Sequence, residues 1–566
     1  MLKTRASRDT WLFWIVALLV LGAGLGLRDP WPADEPRFAL AAKQMVESGD
    51  WLFPHRGIEL YSDKPPLFMW LQAAAYTIFG NWRVAFLLPS LLAALGTLWC
   101  VVDLGKRLWT RKVGLYAGWA LLFALQFTYQ AKKAQIDPLV TFWITLANYG
   151  LLRHFLSTRH DPQPDWKMWM LGWFAAGLGT ITKGVGVLAL AMLLPAMFAS
   201  LRGWRDIRTP LRDARVLLGP LAFVVAAAIW LVPMLAAALS QHDPAYRAYL
   251  DDILFHQTAG RYAKSWDHPQ PFWYHLGVML TMWLPPLLAL PWALPAWKRR
   301  LQRKDARYLL PLAWWVLIVV FFSIPGGKRD VYILPALPMA CLALAPLLPG
   351  IVRKLWAQRL AFAFGTAFAL VALALGIVML SGSPKFEQTL IVERGLSLAQ
   401  AHAGAWLLVA IASWGIGSLL WFGRRRAIAG LCTLLAGLWV LYGVVAYPLL
   451  NDSSSAHGLM LDAGRRIGPD AELGLVAWKE QNLLMADRPA TTFGFVTPWP
   501  QQLRRGIAWQ AQAPQHRWLL VQDAALPPCV DRSRAEPIGL ANRRAWWLLP
   551  ATAVVGCARS KARQAR

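Results

Sequence analysis

Long apolar runs alternate with short polar segments along most of this 566-residue chain. Most of the runs are close to 20 residues long, and about 20 apolar residues make a helix that crosses the hydrocarbon core of a bilayer. The pattern therefore predicts a polytopic α-helical membrane protein. The thirteen predicted membrane helices within residues 1–450 lie near 11–27, 82–103, 113–129, 138–156, 168–182, 184–200, 215–239, 272–296, 308–324, 331–349, 357–381, 404–422 and 427–448.

The polar segments between these runs differ in charge on the two sides of the predicted membrane. If the N-terminus lies inside, every inside loop is basic; residues 298–307 and 424–426 are two examples. Short cytoplasmic loops carry an excess of Lys and Arg in membrane proteins. An odd number of spans then places residues 451–566 on the outer side, together with the long loops 28–81 and 240–271.

The first outer loop, residues 28–81, contains two helical patterns. The first, residues 36–48, follows Asp34 as a candidate N-cap, and the second, residues 66–79, begins at a pair of prolines. Both patterns predict amphipathic helices that lie in the membrane interface. Their predicted apolar faces consist of Phe38, Ala41, Ala42 and Met45 in the first helix, and of Leu67, Trp70, Leu71 and Ala74 in the second.

The composition changes after residue 451. Four short strand-like runs, ELGLVAW, TTFGFV, RWLLVQD and RAWWLLPA, alternate with polar or helical segments. They predict a small soluble α/β domain over residues 451–566. Cys529 and Cys557 lie in this domain without zinc-ligand spacing, and a disulfide between them is one option if the domain is outside the cytoplasm.

The net charge of +27 raises the question of nucleic-acid binding. Membrane proteins also accumulate basic residues in their inside loops, and no basic stripe interleaved with aromatic residues appears in the soluble part. Membrane lipids are therefore the expected partners, and nucleic acid is not.

Several cations lie in the short outer loops, where the charge bias of membrane proteins disfavours them. Taken singly, each is explained by a snorkelling side chain or a loop salt bridge. Taken together, they indicate a shared anionic ligand, such as a lipid phosphate or pyrophosphate. These cations are Lys64, Lys132, Lys133, Arg261, Lys328 and Arg329.

Carboxylates in the same loops suit a different task, because they repel a phosphate. Asp34 and Asp137 are candidates for a general base or for a group that orients the nucleophile and nearby lysines. Asp63 and His256 are candidate ligands of a divalent metal, zinc or magnesium, although two ligands without fixed spacing define no site by themselves.

Six stretches of residues 30–340 resemble one family, the bacterial aminoarabinose transferases and their protein O-mannosyltransferase relatives. These proteins are membrane glycosyltransferases of the GT-C type. The thirteen spans and the C-terminal domain also match. The stretches are DEPRFALAAKQMVESGDW, YSDKPPLFMWLQA, AQIDPLVTFWITLA, ITKGVGVLALAMLLP, FHQTAGRYAKSWDHPQPFWYHL and FFSIPGGKRDVYILPALP.

The resemblance implies an inverting transfer of a sugar from a polyprenyl-phosphate donor at the periplasmic face of the bacterial inner membrane. In the aminoarabinose branch the donor is undecaprenyl-phosphate aminoarabinose and the acceptor is lipid A. The matching positions for phosphate binding and catalysis are Asp34, Arg37, Tyr61, Lys64, Asp137, Arg261 and Tyr332. Lys328 joins the phosphate-binding candidates from the cation cluster.

The family's metal-linked Glu and His fall at Asp63 and His256. The usual E-K-P-P reads D-K-P-P here, and the side chain is shorter by one methylene. Glu480, in AWKEQNLLMADRP, matches a motif of the soluble domain and is a candidate sugar contact.

Two alternative functions stay open at this point. One is transfer to protein hydroxyls or to another envelope glycolipid, for which Asp34 would act as general base. The other is a lipid flippase or transporter, which predicts inverted repeats and charges near the middle of the membrane. The charges of this chain gather at one interface instead.

Overall fold

The computed structural model describes residues 5–158, 163–208, 213–255, 268–382, 391 and 395–554. All thirteen predicted runs are helical over most of their described length. The α-helices of this part are Arg5–Gly22, Trp82–Ala85, Leu88–Leu108, Arg111–Phe123, Leu125–Ala131, Ile136–Phe155, Trp166–Thr180, Leu193–Leu201, Leu218–Ser240, Pro244–Asp251, Tyr274–Met282, Leu290–Gln302, Ala306–Ser323, Leu337–Leu344, Leu348–Ile351, Leu355–Leu380, Leu398–Phe422, Ala427–Leu441 and Tyr447–Ser455. The 3₁₀ segments Gly184–Met192, Ala214–Leu217, Pro286–Ala289 and Asp330–Ala336 and the π segment Tyr442–Ala446 adjoin them.

Within the described ranges, seven helical stretches are long and apolar enough to cross a membrane. The helices Tyr274–Met282 and Pro286–Gln302 are bent by 95° relative to each other, and they add an eighth span if the pair is counted as one. The seven are Trp82–Leu108, Gly184–Leu201, Ala214–Ser240, Ala306–Ser323, Leu355–Leu380, Leu398–Phe422 and Ala427–Ser455. A polytopic helical protein is thus confirmed, while thirteen crossings stay a prediction.

The helices pack closely where small residues face each other. A Cβ atom on Gly114 would collide with the carbonyl oxygen of Val102, and one on Gly150 would collide with that of Met168. Because apolar side chains gain little by leaving lipid, close backbone contact of this kind supplies much of the packing energy between membrane helices.

Residues 28–81, the predicted first outer loop, form two helices, Glu35–Ser48 and Leu67–Phe79, with the hairpin strands β1 (His55–Arg56) and β2 (Glu59–Leu60) between them. The predicted face of the first helix is confirmed, since its four residues are at most 4% exposed. The predicted face of the second helix is wrong: the structure buries Phe68, Met69, Gln72 and Ala73 instead. That helix is apolar on nearly all sides, so periodicity does not distinguish its packed face.

The C-terminal region contains a five-stranded sheet in the order β4-β3-β5-β7-β6. Strands β3 and β4 and strands β3 and β5 are parallel, whereas β7 is antiparallel to both β5 and β6. The bounds are β3 Glu472–Val476, β4 Ala490–Thr492, β5 Arg517–Gln522, β6 Glu536–Ala541 and β7 Arg544–Leu549; the helices beside them are His457–Ile467, Glu480–Leu484 and Trp499–Gln510, with 3₁₀ turns at Asp523–Ala525 and Ala551–Ala553. Three of the four predicted runs contain strands over most of their length, TTFGFV is a strand only at Thr491 and Thr492, and β6 is an additional strand.

The two faces of the sheet bury different partners, as expected from the alternation of side chains along a strand. Leu475 and Leu520 belong to one apolar cluster with Phe38 and Met45 of the first loop helix. Residues on the other face, such as Val521, pack with the helix Trp499–Gln510. The sheet therefore shares an apolar core with the first loop helix.

Cys529 is disulfide-bonded. Its predicted partner Cys557 lies outside the described residues. Cys100, Cys341 and Cys432 are free.

Candidate active site

A buried ion pair underlies the start of the first loop helix. The guanidinium of Arg28 donates to both carboxylate oxygens of Glu35, with Nη2–Oε1 at 2.7 Å, and both side chains are at most 5% exposed. The same carboxylate accepts hydrogen bonds from the backbone N–H groups of Trp31, at 2.7 Å, and Ala134, at 2.9 Å. Glu35 thereby ties the segment that precedes it, which includes Asp34, to the backbone at Ala134.

Asp34 occupies the N-cap position of the helix Glu35–Ser48, but its side chain does not cap the helix. Its Oδ2 atom accepts hydrogen bonds from Arg329 Nη2, at 2.8 Å, and from Gln135 Nε2, at 3.2 Å. The N-cap prediction is therefore right in position and wrong in the bond. The carboxylate faces away from the helix and towards side chains from two distant loops.

The charges around Asp34 decide its protonation state. Burial raises the pKa of this carboxyl, but the positive charges of Arg329, Arg37 and Lys183 outweigh burial and lower the pKa below its usual value. Asp34 is therefore ionised at neutral pH. A carboxylate held in this way is a weak proton acceptor and a good orienting group.

Asp137 lies in the first turn of the helix Ile136–Phe155 and pairs with Lys183. The distance from Lys183 Nζ to Asp137 Oδ1 is 2.6 Å. The same ammonium lies 5.1 Å from the centre of the Tyr332 ring. Arg329 interacts electrostatically with Asp34, Asp137 and Tyr332, so the two carboxylates belong to one network.

A second group of charges adjoins this network through Arg37. Glu480 Oε1 lies 3.4 Å from Arg37 Nε and 3.6 Å from Arg56 Nη1. Asp63 Oδ2 lies 3.9 Å from Nη1 of each of the same two arginines. These four residues, in which two cations alternate with two carboxylates, are called the charge ring below. Glu480, from the C-terminal region, thus reaches the first outer loop.

Tyr61 and Lys64 adjoin the charge ring. Tyr61 is only 1% exposed, and burial raises the pKa of its phenol. Lys64 Nζ donates a hydrogen bond to the backbone carbonyl of Asp63 at 2.6 Å. Both residues therefore lie within the region that the sequence motifs predicted.

Known proteins resemble this chain both in sequence and in fold. A family model described as dolichyl-phosphate-mannose-protein mannosyltransferase matches residues 63–230. Undecaprenyl phosphate-alpha-4-amino-4-deoxy-L-arabinose arabinosyl transferases from Pseudomonas savastanoi pv. phaseolicola and Edwardsiella ictaluri are 30% and 31% identical to the chain. These alignments cover 72% and 74% of this chain and 76% and 68% of the relatives. The chain belongs to this arabinosyl transferase family.

Solved structures agree on the fold. Crystal structures of ArnT from Cupriavidus metallidurans, bound to undecaprenyl phosphate and in the apo state, match with a TM-score of 0.71 at 19% identity. They cover 95% and 97% of this chain and 97% and 99% of their own chains. The chain therefore has the GT-C membrane fold. It is a member of a family of polyprenyl-phosphate-sugar-dependent glycosyltransferases, as the resemblance predicted.

The arabinosyl transferase fold brings together most of the residues that the motifs assigned to the site. Asp34, Arg37, Asp137 and Tyr332 belong to one electrostatic network. Tyr61, Asp63 and Glu480 connect to it through Arg37. Arg261 and His256 lie outside the described residues, so their predicted roles stay predictions.

Lys328 does not lie where a phosphate-binding residue was expected. It is 4% exposed, and its ammonium donates to the backbone carbonyls of Gln270, at 2.9 Å, and Gly326, at 3.5 Å. The neighbouring residue Arg329 points to Asp34 instead. In this family member the loop therefore presents Arg329 to the network and uses Lys328 to hold its own backbone.

The described residues do not form a metal site around Asp63. Its carboxylate faces two guanidinium groups, and the described ranges contain no group of three His, Cys, Asp or Glu side chains arranged for a metal ion. A divalent cation at Asp63 would meet positive charge on two sides. No chemical step is therefore assigned to a metal.

Two site residues of this transferase, Lys183 and Arg56, were not predicted, and a third, Arg329, was predicted only as a member of a larger group of cations. Lys183 lies in the TKG segment between two apolar runs, where a lone charge is itself a signal, because charges near membrane helices are costly without a function. Arg329 was predicted as one of the outer cations that share an anionic ligand, but its contact with Asp34 was not predicted. Arg56 lies in a short segment with no periodic pattern, and nothing in the sequence distinguishes it.

Proposed function

We propose that the protein transfers 4-amino-4-deoxy-L-arabinose from an undecaprenyl-phosphate donor to lipid A at the periplasmic face of the bacterial inner membrane. The observation that carries this proposal is the network in which Asp34, Arg37, Asp137 and Arg329 meet from three separate outer segments. The family relationship names the donor and the sugar. The network supplies the cations that a phosphate-bearing donor requires.

The donor phosphate is the leaving group in this reaction. Lys64, Arg37 and Arg261, with the Tyr332 hydroxyl, are proposed to bind it and to stabilise the negative charge that grows as the glycosidic bond breaks. Removing one preorganised contact of this kind costs about 3–4 kcal/mol of barrier, on the order of 10²–10³ in rate. Glu480 is proposed to contact the sugar, because it belongs to the charge ring and lies next to Arg37.

Asp34 and Asp137 are proposed as orienting groups. A lipid A phosphate is already anionic, so it attacks the sugar carbon without a strong base. The low pKa of Asp34 and its bond to Arg329 support this reading over general-base catalysis. Asp137 would hold Lys183 beside Tyr332 in the same way.

A protein hydroxyl acceptor is the second candidate, and the match of residues 63–230 to a protein mannosyltransferase model favours it. A hydroxyl must lose a proton during transfer, which would require Asp34 or Asp137 as base. Neither the lowered pKa of Asp34 nor the short Lys183–Asp137 bond suits that role.

The proposed topology follows the charge of the loops. The chain crosses the membrane thirteen times over residues 1–450, the N-terminus is cytoplasmic, and residues 451–566 form a periplasmic α/β domain. The disulfide at Cys529 supports an oxidising compartment for this domain.

Mass spectrometry of lipid A from cells with and without the gene tests the proposal. We expect an aminopentose on the lipid A phosphate only when the gene is present. Unchanged lipid A together with a missing hexose on envelope proteins would favour the second candidate. Purified protein with undecaprenyl-phosphate aminoarabinose and lipid A should reproduce the transfer, and chelation by EDTA tests whether zinc or magnesium at Asp63 and His256 is needed.

A further inference from the structure

The charge ring contains one residue without an assigned role, Arg56. Its side chain is 14% exposed and its Nη1 atom approaches the same oxygens of Glu480 and Asp63 that Arg37 approaches. Both arginines therefore share both carboxylates. With two cations and two anions, the ring is neutral as a whole.

The surroundings of Arg56 hold it firmly in this position. It lies on β1, and its guanidinium carbon is 3.9 Å from the centre of the Phe495 ring and 5.3 Å from that of Tyr61. Cation–π contacts of this kind stabilise a guanidinium and restrict its orientation. Phe495 belongs to the C-terminal region, so Arg56 contacts that region through both an aromatic ring and a carboxylate.

The hairpin that carries Arg56 is itself fixed on both sides. The Gln44 side chain exchanges two hydrogen bonds with the backbone of Gly57, at 2.8 and 3.0 Å. Glu59 accepts a hydrogen bond from the backbone N–H of Val496 at 3.1 Å. A Cβ atom on Gly57 would lie 3.0 Å from the Trp478 ring. The hairpin is therefore clamped between the first loop helix and the C-terminal region.

We propose that Arg56 is a positioning residue that keeps Arg37 available for the donor phosphate. Without Arg56, Arg37 would be the only arginine of the ring facing Glu480 and Asp63, and the ring would carry a net charge of minus one. Two carboxylates would then compete with the phosphate for one guanidinium and would repel the phosphate. This inference rests on the proposed function, in which Arg37 binds an anionic lipid.

Binding of undecaprenyl phosphate tests this inference without requiring sugar transfer. The full-length protein in detergent is titrated with undecaprenyl phosphate, and the dissociation constant is measured by ligand-induced thermal stabilisation. We expect Arg56→Gln to weaken binding by about tenfold, a value between those of exposed and buried ion pairs because the ring is partly exposed. Arg56→Lys keeps the charge and should lose less.

A second substitution separates charge balance from a general structural role. Arg56→Gln combined with Glu480→Gln restores a neutral ring, so the double variant should bind undecaprenyl phosphate more tightly than Arg56→Gln alone. A role in folding alone predicts that the double variant regains stability in the absence of lipid, while Arg56→Gln binds undecaprenyl phosphate with the wild-type dissociation constant. Arg466→Gln is the matched control, since Arg466 forms an exposed i, i+4 pair with Asp462 in the same region, and it should bind like wild type.

Two results would overturn the inference: wild-type binding by Arg56→Gln, or a double variant that binds no better than the single one. If Arg56→Gln does not fold, Phe495→Leu serves instead. It removes the aromatic side chain that contacts the Arg56 guanidinium, and it should also weaken the binding of undecaprenyl phosphate. Unchanged binding by Phe495→Leu would then count against the inference. If wild type itself shows no stabilisation by undecaprenyl phosphate, the proposed function fails before the inference is reached.

Discussion

The ion pair between Arg28 and Glu35 gives the most quantitative prediction. Glu35 accepts four hydrogen bonds, two at each carboxylate oxygen, from Arg28, Trp31 and Ala134. In Glu35→Gln, one oxygen becomes an NH₂ group that faces two donors, whichever way the amide is turned. The substitution also leaves the charge of Arg28 buried without its counter-ion.

Breaking a buried ion pair by removing one partner costs about 3–5 kcal/mol. The aromatic rings of Trp31, Phe86 and Tyr447, whose centres lie 4.7–5.2 Å from the Arg28 guanidinium carbon, remain in the variant. They favour a cation, so we expect a loss near the lower end of that range. Turnover should fall as well, because Glu35 fixes the backbone beside Asp34.

Unfolding in detergent, followed by intrinsic tryptophan fluorescence, measures the free energy of unfolding. The control is Asp462→Asn, which removes the exposed ion pair with Arg466 and should change this free energy by no more than about 0.5 kcal/mol. Replacing both Arg28 and Glu35 by Met should cost less than Glu35→Gln alone, because no uncompensated charge stays buried. If Glu35→Gln were as stable as the control, or the double Met variant less stable than Glu35→Gln, this reasoning would be refuted.

Three further predictions concern the network and its surroundings. Lys183→Met should lower the turnover rate by a factor on the order of 10² while the protein still folds, because Asp137 loses the ammonium that lies 2.6 Å from its carboxylate. Wild-type turnover in this variant would show that Lys183 is not part of the site. Asp34→Asn should retain undecaprenyl phosphate binding and impair turnover, and single-turnover kinetics against a binding titration separates the two. Burial, with the nearby charge of Arg28, lowers the pKa of Lys132 to about 7. Between about pH 7 and 10.4, Lys132 is therefore protonated in the unfolded chain but not in the folded protein, and the free energy of unfolding should rise with pH by up to about 1.4 kcal/mol per pH unit. Lys132→Met should abolish this rise, and an unchanged slope in the variant would contradict the assignment.

The first loop helix shows what the sequence could predict and why. Phe38, Ala41, Ala42 and Met45 alternate with polar residues at helical spacing, so their buried face was readable. The second loop helix is apolar on nearly every side, and its face depends on tertiary packing. Strand β6 was missed for a related reason: it is an edge strand, mostly exposed, with a proline and an irregular register at Gly539.

The site shows the same division between local pattern and tertiary arrangement. Asp34 and Asp137 were predicted from motifs, but their cations Arg329 and Lys183 lie 295 and 46 residues away along the chain. Nothing local in a sequence specifies which distant charge a carboxylate meets. Arg56 is the extreme case, since its proposed role depends on a ring formed with three other segments.

The charges of the described site residues support the proposal that one arrangement both binds the donor and promotes its cleavage. The cations of this arrangement include Arg37, Arg56, Lys64, Lys183 and Arg329, and its carboxylates include Asp34, Asp63, Asp137 and Glu480. In the proposed reaction the donor is a polyprenyl phosphodiester, which carries a single negative charge. Cleavage turns that diester into a monoester, which carries about 1.5–2 negative charges at pH 7. Attraction to the site therefore grows as the bond breaks, and only interactions that strengthen in this way accelerate the chemical step.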